Sequence, residues 1–249
     1  MKKLLILISF IALLSEGLVA FESGQLSLDT PNVLKSGEGS FGIRHRFFGE
    51  IDDIDKFFGT DDGGNMHFVL KYAFLDNLVI GVDHTRDESA YGIGVEYSSD
   101  LKWIKVGARV NGYRLNKGLD KFDKSYQANL SLQTPNYFNH LNFTANLGYD
   151  AYNKHQILGF GMDLNADNFI PFLTFTEKIS LLIEHYPQVD KIKNISKKYD
   201  SYAFGVKYQT YGHHFEVMAT NSTNMDPRTM SLGTNSDKMH FGFNINRKF

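Results

Sequence analysis

The fold is decided by the final stretch of the chain, Lys238-Met239-His240-Phe241-Gly242-Phe243-Asn244-Ile245-Asn246-Arg247-Lys248-Phe249. Apolar residues recur there at every second position from Met239, with small or polar residues between them. Side chains of a β-strand point alternately to its two faces, so this spacing predicts a strand with one apolar and one polar face. The only break is Arg247, which occupies a position on the apolar face, where a long cationic side chain near a membrane interface is tolerated.

Strands of the same kind recur through most of the chain. We predict an all-β fold, an antiparallel transmembrane β-barrel of about 12 strands, each close to the length that a tilted strand needs to cross a bilayer. Long polar connections follow the first, fifth, ninth and eleventh strands, and short turns follow the second, fourth, sixth and tenth, as in outer-membrane barrels. The predicted strands are Gly39–Phe47, Asn65–Phe74, Leu78–Thr85, Tyr91–Tyr97, Ile104–Asn111, Tyr126–Gln133, Leu141–Tyr149, Leu158–Asn165, Ile179–Glu184, Tyr202–Gln209, His214–Thr220 and Met239–Phe249.

One segment does not fit this scheme. Phe169–Phe175 is apolar but lies where a short turn is expected, and its Pro171 is unfavourable in a central strand. The segment could be an interfacial hairpin, a plug or an additional strand, so the strand count is open at this point.

A soluble β-sandwich also alternates, and three features favour a membrane barrel over it. The apolar faces are rich in Phe and Tyr on almost every strand, and few strands carry the charges that protect a sheet edge. The opposite face carries charges of both signs, which a dry core would not accept. Aromatic residues also cluster near strand ends, as interfacial girdles do: Tyr72, Phe74, Tyr97, Trp103, Tyr113, Tyr137, Phe138, Tyr149, Tyr208 and Tyr211.

The charges on the polar face are expected to line the lumen of the barrel. Their nearly balanced signs favour closure by salt bridges, or weak selectivity, over a strongly ion-selective pore. Glycines on the same face, such as Gly159 and Gly161, are expected to allow strand curvature and to leave space in the lumen. The predicted lumen-facing charges are Arg44, Arg46, Lys71, Asp83, Glu96, Lys105, Arg109, Asp163, Glu184, Lys207 and Glu216.

The amino terminus has the pattern of a secretory signal. Lys2 and Lys3 precede an apolar core, Leu4–Leu14, and a plausible cleavage site, Leu18-Val19-Ala20. We therefore expect residues 1–20 to be a cleaved signal peptide and residues 21–249 to form a single β-barrel domain in the bacterial outer membrane. The first part of that domain, Phe21–Ser36, is expected to be a mostly polar leader outside the strands.

Both ends of the mature chain carry motifs of a known family. Asp29–Gly39 followed by Ile43-Arg44-His45-Arg46-Phe47, together with the close from Leu232 to Phe249, resembles a family of uncharacterised, porin-like bacterial β-barrel proteins of the outer-membrane type. The second and third predicted strands are similar to that family's strands as well. Phe48 departs from the family element, which has glycine there. The resemblance implies a fold and a location, and it implies no site residues.

The final strand with its terminal Phe249 also resembles the assembly signal of outer-membrane barrels. It implies the barrel-assembly machinery as a partner, beside the lipid bilayer. A net charge of −2 without a basic patch gives no reason to expect nucleic acid. The chain has no cysteine, and its nine histidines show no ligand spacing, so neither a metal nor a cofactor is expected.

These observations favour a narrow channel for small solutes or a structural envelope protein. The alternative is a non-channel barrel, or a secreted β-protein, that binds an envelope partner through its long loops. No nucleophile elbow or phosphate-binding loop is present, so enzymatic activity is not expected.

Overall fold

The computed structural model describes residues 24–31, 34–87, 89–116, 121–135, 141–166, 178–190, 197–210 and 212–249. Within these ranges twelve antiparallel strands form one closed barrel in which every strand pairs with its neighbours in the chain and β1 pairs with β12. The strands are β1 Gly39–Phe47, β2 Gly64–Leu75, β3 Leu78–Thr85, β4 Ala90–Leu101, β5 Ile104–Asn116, β6 Phe122–Gln133, β7 Leu141–Asp150, β8 His155–Asn165, β9 Lys178–Tyr186, β10 Ser201–Thr210, β11 His213–Thr220 and β12 His240–Lys248.

The predicted antiparallel barrel of about 12 strands is confirmed. The last strand closes the barrel against the first, with Ile43 opposite Ile245 in the register. β12 ends one residue before Phe249, which continues the register and pairs with Gly39. The two residues exchange N–H···O bonds of 2.8 and 2.9 Å, and the Phe249 ring lies over the Gly39 backbone, where a Cβ would come within 2.5 Å of it.

The outer face is apolar and exposed, and the inner face is polar and buried. On β4 the four outward side chains from Tyr91 to Tyr97 are between 46% and 61% exposed, whereas the inward Glu96 is 6% exposed. This inverts the arrangement of a soluble domain and matches a wall that faces lipid. One predicted girdle residue is placed differently. Tyr113 shares the inward parity of β5 and donates a hydrogen bond to Gln127 in the lumen.

Strand ends differ most on β5 and β6. Their ladder continues to the pair Asn116 and Phe122, beyond the apolar alternation that marked the predicted ends. The expected long link between them is therefore short, since paired backbone can extend past the lipid-facing band. Phe169–Phe175 and residues 1–20 lie outside the described residues.

The connections that the structure describes contain little helix. Two short 3-10 turns, Ile54–Lys56 and Thr60–Asp62, lie between β1 and β2, and one helical turn, α1 Pro227–Met230, lies between β11 and β12. Asp226 caps α1, since its carboxylate accepts from the backbone N–H of Thr229 at 3.0 Å. In the part of the chain that the structure describes, no helix is long and apolar enough to cross a membrane.

Candidate functional site

The lumen is occupied by the beginning of the described chain. Residues 24–31 and 34–36 are called the plug below. Residues 24–31 and Leu34 lie inside the barrel, and Lys35 and Ser36 are exposed at the end at which β1 starts. Gln25, Leu26, Ser27 and Leu28 are each at most 1% exposed. The sequence predicts only a mostly polar leader outside the strands here, and the structure shows in addition that Gln25–Leu28 is buried against the inner wall.

The inner wall binds the backbone of the plug. Glu184 on β9 accepts from the N–H groups of Ser27, at 2.9 and 3.1 Å, and of Leu28, at 3.2 Å. Arg46 Nη2 and Asn244 Nδ2 both donate to the carbonyl of Leu26, at 2.9 and 2.8 Å. Buried backbone groups must be paired, and here three wall residues replace the partners that a sheet would supply.

Apolar contacts hold the two leucines of the plug. Leu26 packs on the inward side chains of Leu182, Ala203 and Met218, and Leu28 packs on Tyr186. Glycines of the wall make the necessary room. A Cβ on Gly161 would lie 2.4 Å from Leu28 Cδ1, and one on Gly205 would lie 2.7 Å from Leu26 Cδ2. The expectation that inward glycines leave lumen space is consistent with these contacts.

A second part of the plug contacts charged and amide side chains. The Asp29 carboxylate pairs with Arg109 Nη1 at 3.3 Å and accepts from Asn129 Nδ2 at 2.9 Å. Asn146 binds the Asp29 backbone on both sides, accepting from its N–H at 2.9 Å and donating to its carbonyl at 2.7 Å. Strands β5, β6 and β7 therefore fix Asp29 through its side chain and its peptide groups together.

The loop between β11 and β12, residues 221–239, closes the opposite end of the barrel. Arg44 Nη1 donates to the Met225 carbonyl at 2.6 Å, and Asn65 Nδ2 donates to that of Thr223 at 3.0 Å. Met230 of α1 is fully buried and meets Leu28 and Tyr186, so this loop and the plug share one apolar cluster. The sequence predicted a long polar loop facing outward, whereas much of it lies in the barrel mouth.

All eleven predicted lumen charges lie on the inner face. Three ion pairs link six of them: Lys71 with Glu96 at 3.1 Å, Arg109 with Asp83 at 3.5 Å, and Lys207 with Asp163. Four others bind the inserted segments or their neighbours: Arg44, Arg46, Glu184 and Glu216, the last of which accepts from Asn244. Lys105 is partly exposed on the same face of β5. The sequence identified these side chains by parity and could not show that several of them bind the plug.

The plug leaves the barrel through an anchored turn. Ser36 N–H donates to Asp76 at 2.8 Å in the turn after β2. Glu38 accepts from Lys248 Nζ at 2.8 Å and from the backbone N–H of Lys35 at 2.8 Å. Burial opposes ionisation of the Glu38 carboxyl, but these two hydrogen bonds outweigh it and lower its pKa. The anchor therefore ties the plug to the seam between β1 and β12.

A small cavity lies between the plug and the wall beside Asp29. Its volume is about 20 Å³, and Arg44, Lys71, Arg109 and Tyr113 are among the residues that line it. That volume holds about one water molecule. Across the described ranges, no group of three or more His, Asp or Glu side chains could hold a metal ion.

The residues that sequence reasoning missed are the apolar ones on the inner face. Leu182 stood out as a break in the polar face of its strand, and Ala203 and Met218 also have inward parity. Apolar side chains facing a polar lumen indicate that something apolar covers them. That signal pointed to a plug but could not show which segment supplied it.

Comparison with known proteins agrees with the architecture. A family model described as "Membrane bound beta barrel domain (DUF5777)" matches residues 21–103 and 122–249. Among solved structures, the chain is similar to the KdgM porin, at 12% identity over 84% of this chain and 99% of that one, with a TM-score of 0.49. It is similar to the NanC porin at 10% identity over 84% and 98%, with a TM-score of 0.48. A search of curated proteins finds no match.

The porin likenesses carry no conclusion about solutes at these identities and scores. The family model is more informative, since it spans most of the chain, including the plug, every strand of the closed barrel except β5, and the loop that covers its mouth. The chain therefore belongs to the family of membrane-bound β-barrel domains.

Proposed function

We propose that the protein is an outer-membrane channel for small polar solutes that its own plug keeps closed until the plug undocks. The observation that carries this proposal is the pairing of a polar lumen wall with a chain segment that fills it. Barrels of eight strands are filled by their own side chains, and barrels of 16 to 18 strands hold open water. A twelve-stranded barrel lies between them, and here the residual space takes one polypeptide segment.

The cross-section of the plug gives the width of the passage that its removal would leave. An extended chain with its side chains has a cross-section of roughly 5 by 10 Å, judged from strand and sheet spacings. Removing such a segment would leave a passage lined by Asn129, Asn146, Glu184 and Asn244, all of which can turn to water. A passage of this width and polarity suits small hydrophilic solutes and excludes folded proteins.

The experiment compares the wild type with a plug-released variant, Leu26→Ser with Leu28→Ser, in planar lipid bilayers. Each leucine contributes roughly 1.5–3 kcal/mol through burial, so the double change should undock the plug in a large fraction of molecules. We expect rare conductance steps from the wild type and frequent steps from the variant. The matched control is Leu147→Ser with Leu158→Ser, which alters two leucines that alternate onto the lipid-facing side of β7 and β8.

The proposal fails if the plug-released variant inserts as a barrel, shown by heat-modifiable gel mobility, and conducts no more than the wild type. That result would favour a second function, in which the closed barrel binds an envelope partner through its long loops. The loop between β1 and β2 supports this second function, because Ile54 and Phe57 are 72% and 68% exposed there. A membrane protein that displays such side chains away from the barrel wall has an apolar surface for a partner.

The same proposal includes export and assembly. Residues 1–20 would be removed as a signal peptide, and the barrel-assembly machinery would recognise the final strand with Phe249. Amino-terminal sequencing of the membrane-inserted protein tests the first step, with Phe21 expected as its first residue. Deleting Phe249 tests the second, since loss of its contact with Gly39 should slow barrel closure. Normal insertion of the shortened chain would contradict this role.

A further inference from the structure

We propose that the lumen wall around Asp29 is a binding site for small carboxylates, and that such a solute undocks the plug by replacing the Asp29 side chain. This inference rests on the proposed function, and it adds a class of solute and a trigger. Asp29 is the internal occupant of the site, and its contacts show what the site recognises.

The contacts are those of a carboxylate receptor. One oxygen of Asp29 lies 3.3 Å from Arg109 Nη1 and the other lies 2.9 Å from Asn129 Nδ2. One guanidinium and one amide thus bind the two oxygens separately, which a planar carboxylate satisfies and a spherical ion does not. Neither donor lies on the plug, so both stay in the wall when the plug leaves.

The charges around the cavity are balanced only while Asp29 or another anion occupies the site. Among the described residues at this cavity and their ion-pair partners, four cations stand against four carboxylates. The cations are Arg44, Lys71, Arg109 and Arg228, and the carboxylates are Asp29, Asp83, Glu96 and Asp226. Asp29 is the only one of these carboxylates on the plug. Undocking it leaves one positive charge in excess on a partly desolvated wall, which one monoanion would neutralise.

Space for a solute already begins there. The cavity of about 20 Å³ adjoins Asp29 and Arg109, and Ser40, His67 and Gln127 also line it. Because this cavity holds about one water molecule, a carboxylate reaches Arg109 when the plug moves away transiently and then competes with Asp29 for it. Competition at the charged end removes the Asp29 side-chain contacts, and the rest of the plug is then held by its backbone hydrogen bonds to Glu184, Arg46 and Asn244 and by the apolar contacts of Leu26 and Leu28.

The experiment measures plug undocking without measuring current. The chain has no cysteine, so Ser27→Cys introduces a single thiol at a position that is 1% exposed, and its labelling rate reports the undocked fraction. Sodium acetate is compared with sodium chloride at the same concentration and with acetamide, its neutral analogue. We expect acetate to accelerate labelling about tenfold and the other two to leave it nearly unchanged.

Variants of the wall locate the effect. In Ser27→Cys protein, Arg109→Gln and Asn129→Ala should each abolish the acceleration by acetate, whatever they do to the basal rate. Lys105→Gln removes a cation from the same face of β5, away from Asp29. This variant should retain the acceleration of labelling by acetate. Asn129→Ala covers the case in which Arg109→Gln fails to form a heat-modifiable barrel.

The inference is overturned if acetate acts no more strongly than chloride or acetamide, or if its effect persists in both site variants. Failure of the proposed function looks different. A plug-released variant that never conducts refutes the channel, while an acetate response in the labelling assay would still establish the site. Conduction with labelling that ignores acetate would refute the site and keep the channel.

Discussion

The two halves of the plug are held by different kinds of wall. Leu26 and Leu28 lie against apolar side chains and glycines of β8 to β11, whereas Asp29 lies against charged and amide side chains of β5 to β7. Apolar burial holds a segment strongly and without chemical selectivity, because nothing in an aqueous solute replaces a leucine. A charged contact is weaker in net free energy and can be replaced by any solute with the same group.

The two halves of the plug therefore have different roles in the proposed closure of the barrel. In the proposed channel, the apolar half would set how stable the closed state is, and the polar half would set which solutes open it. Changes in the apolar half should therefore alter the undocked fraction under all conditions, while changes around Asp29 should alter its response to solutes. The predictions below all use the labelling rate of Ser27→Cys, unless stated otherwise, as the measure of undocking.

The largest effect is expected from Leu182→Ala. Leu182 is 1% exposed against Leu26, and truncating a buried leucine costs about 2–5 kcal/mol. Labelling should accelerate by at least roughly 30-fold, since 1.4 kcal/mol is tenfold. The neighbouring residue offers the control, because Leu181 points outward and is 47% exposed. Equal labelling rates in Leu182→Ala and Leu181→Ala would break the claim that the apolar half holds the plug.

An intermediate effect is expected from Glu184→Gln. This carboxylate accepts from the N–H groups of Ser27 and Leu28, and hydrogen bonds to charged groups are worth about 1.5–3 kcal/mol. The matched control is Glu96→Gln, which removes a lumen carboxylate that pairs with Lys71 on the wall and accepts no hydrogen bond from the described residues of the plug. Faster labelling in the control than in Glu184→Gln would show that loss of lumen charge, rather than loss of plug contacts, drives undocking.

The smallest effect is expected from Glu38→Gln, which lies outside both halves at the exit of the plug. The contact with Lys248 lies at the rim and is partly exposed, and it is worth about 1 kcal/mol. Because the pKa of Glu38 is lowered from 4.5, its contribution is complete above pH 4.5 and is lost as the pH falls through the lower, folded-state value. The melting temperatures of wild type and variant, read by gel mobility, should differ near pH 7 and converge in acid. A difference that grows in acid would contradict this.

The barrel itself could be predicted from sequence because its signal is local and repeated. Alternation along each strand fixes which face meets lipid, and β1 matches its predicted bounds, Gly39–Phe47. The same parity places all eleven lumen charges inside. Tyr113 shows the limit of the girdle criterion. Its position near a strand end predicts a girdle residue, but its parity on β5 places it inward, where it bonds Gln127.

The plug could not be predicted because its order comes from other parts of the chain. The alternation in Gln25–Leu28 is too short to show what it packs against, and its partners Glu184 and Asn244 are far away in sequence. The sequence showed only features of the wall that fit the plug, such as the inward apolar side chain of Leu182 and the small residues Gly159 and Gly161. Asp29–Gly39, which carries part of the family resemblance, contains the site's Asp29 and the anchored exit turn.

The central claim is that the plug lies in the lumen and closes it, and a disulfide tests this most directly. A Cβ on Gly161 would lie 2.4 Å from Leu28 Cδ1, so the pair Leu28→Cys with Gly161→Cys places two thiols within bonding reach in a chain without other cysteines. We predict that oxidation cross-links the pair in membranes, abolishes conductance steps in planar bilayers, and that reduction restores them. Two thiols that stay free and reactive under oxidation, in a correctly inserted barrel, would contradict the account.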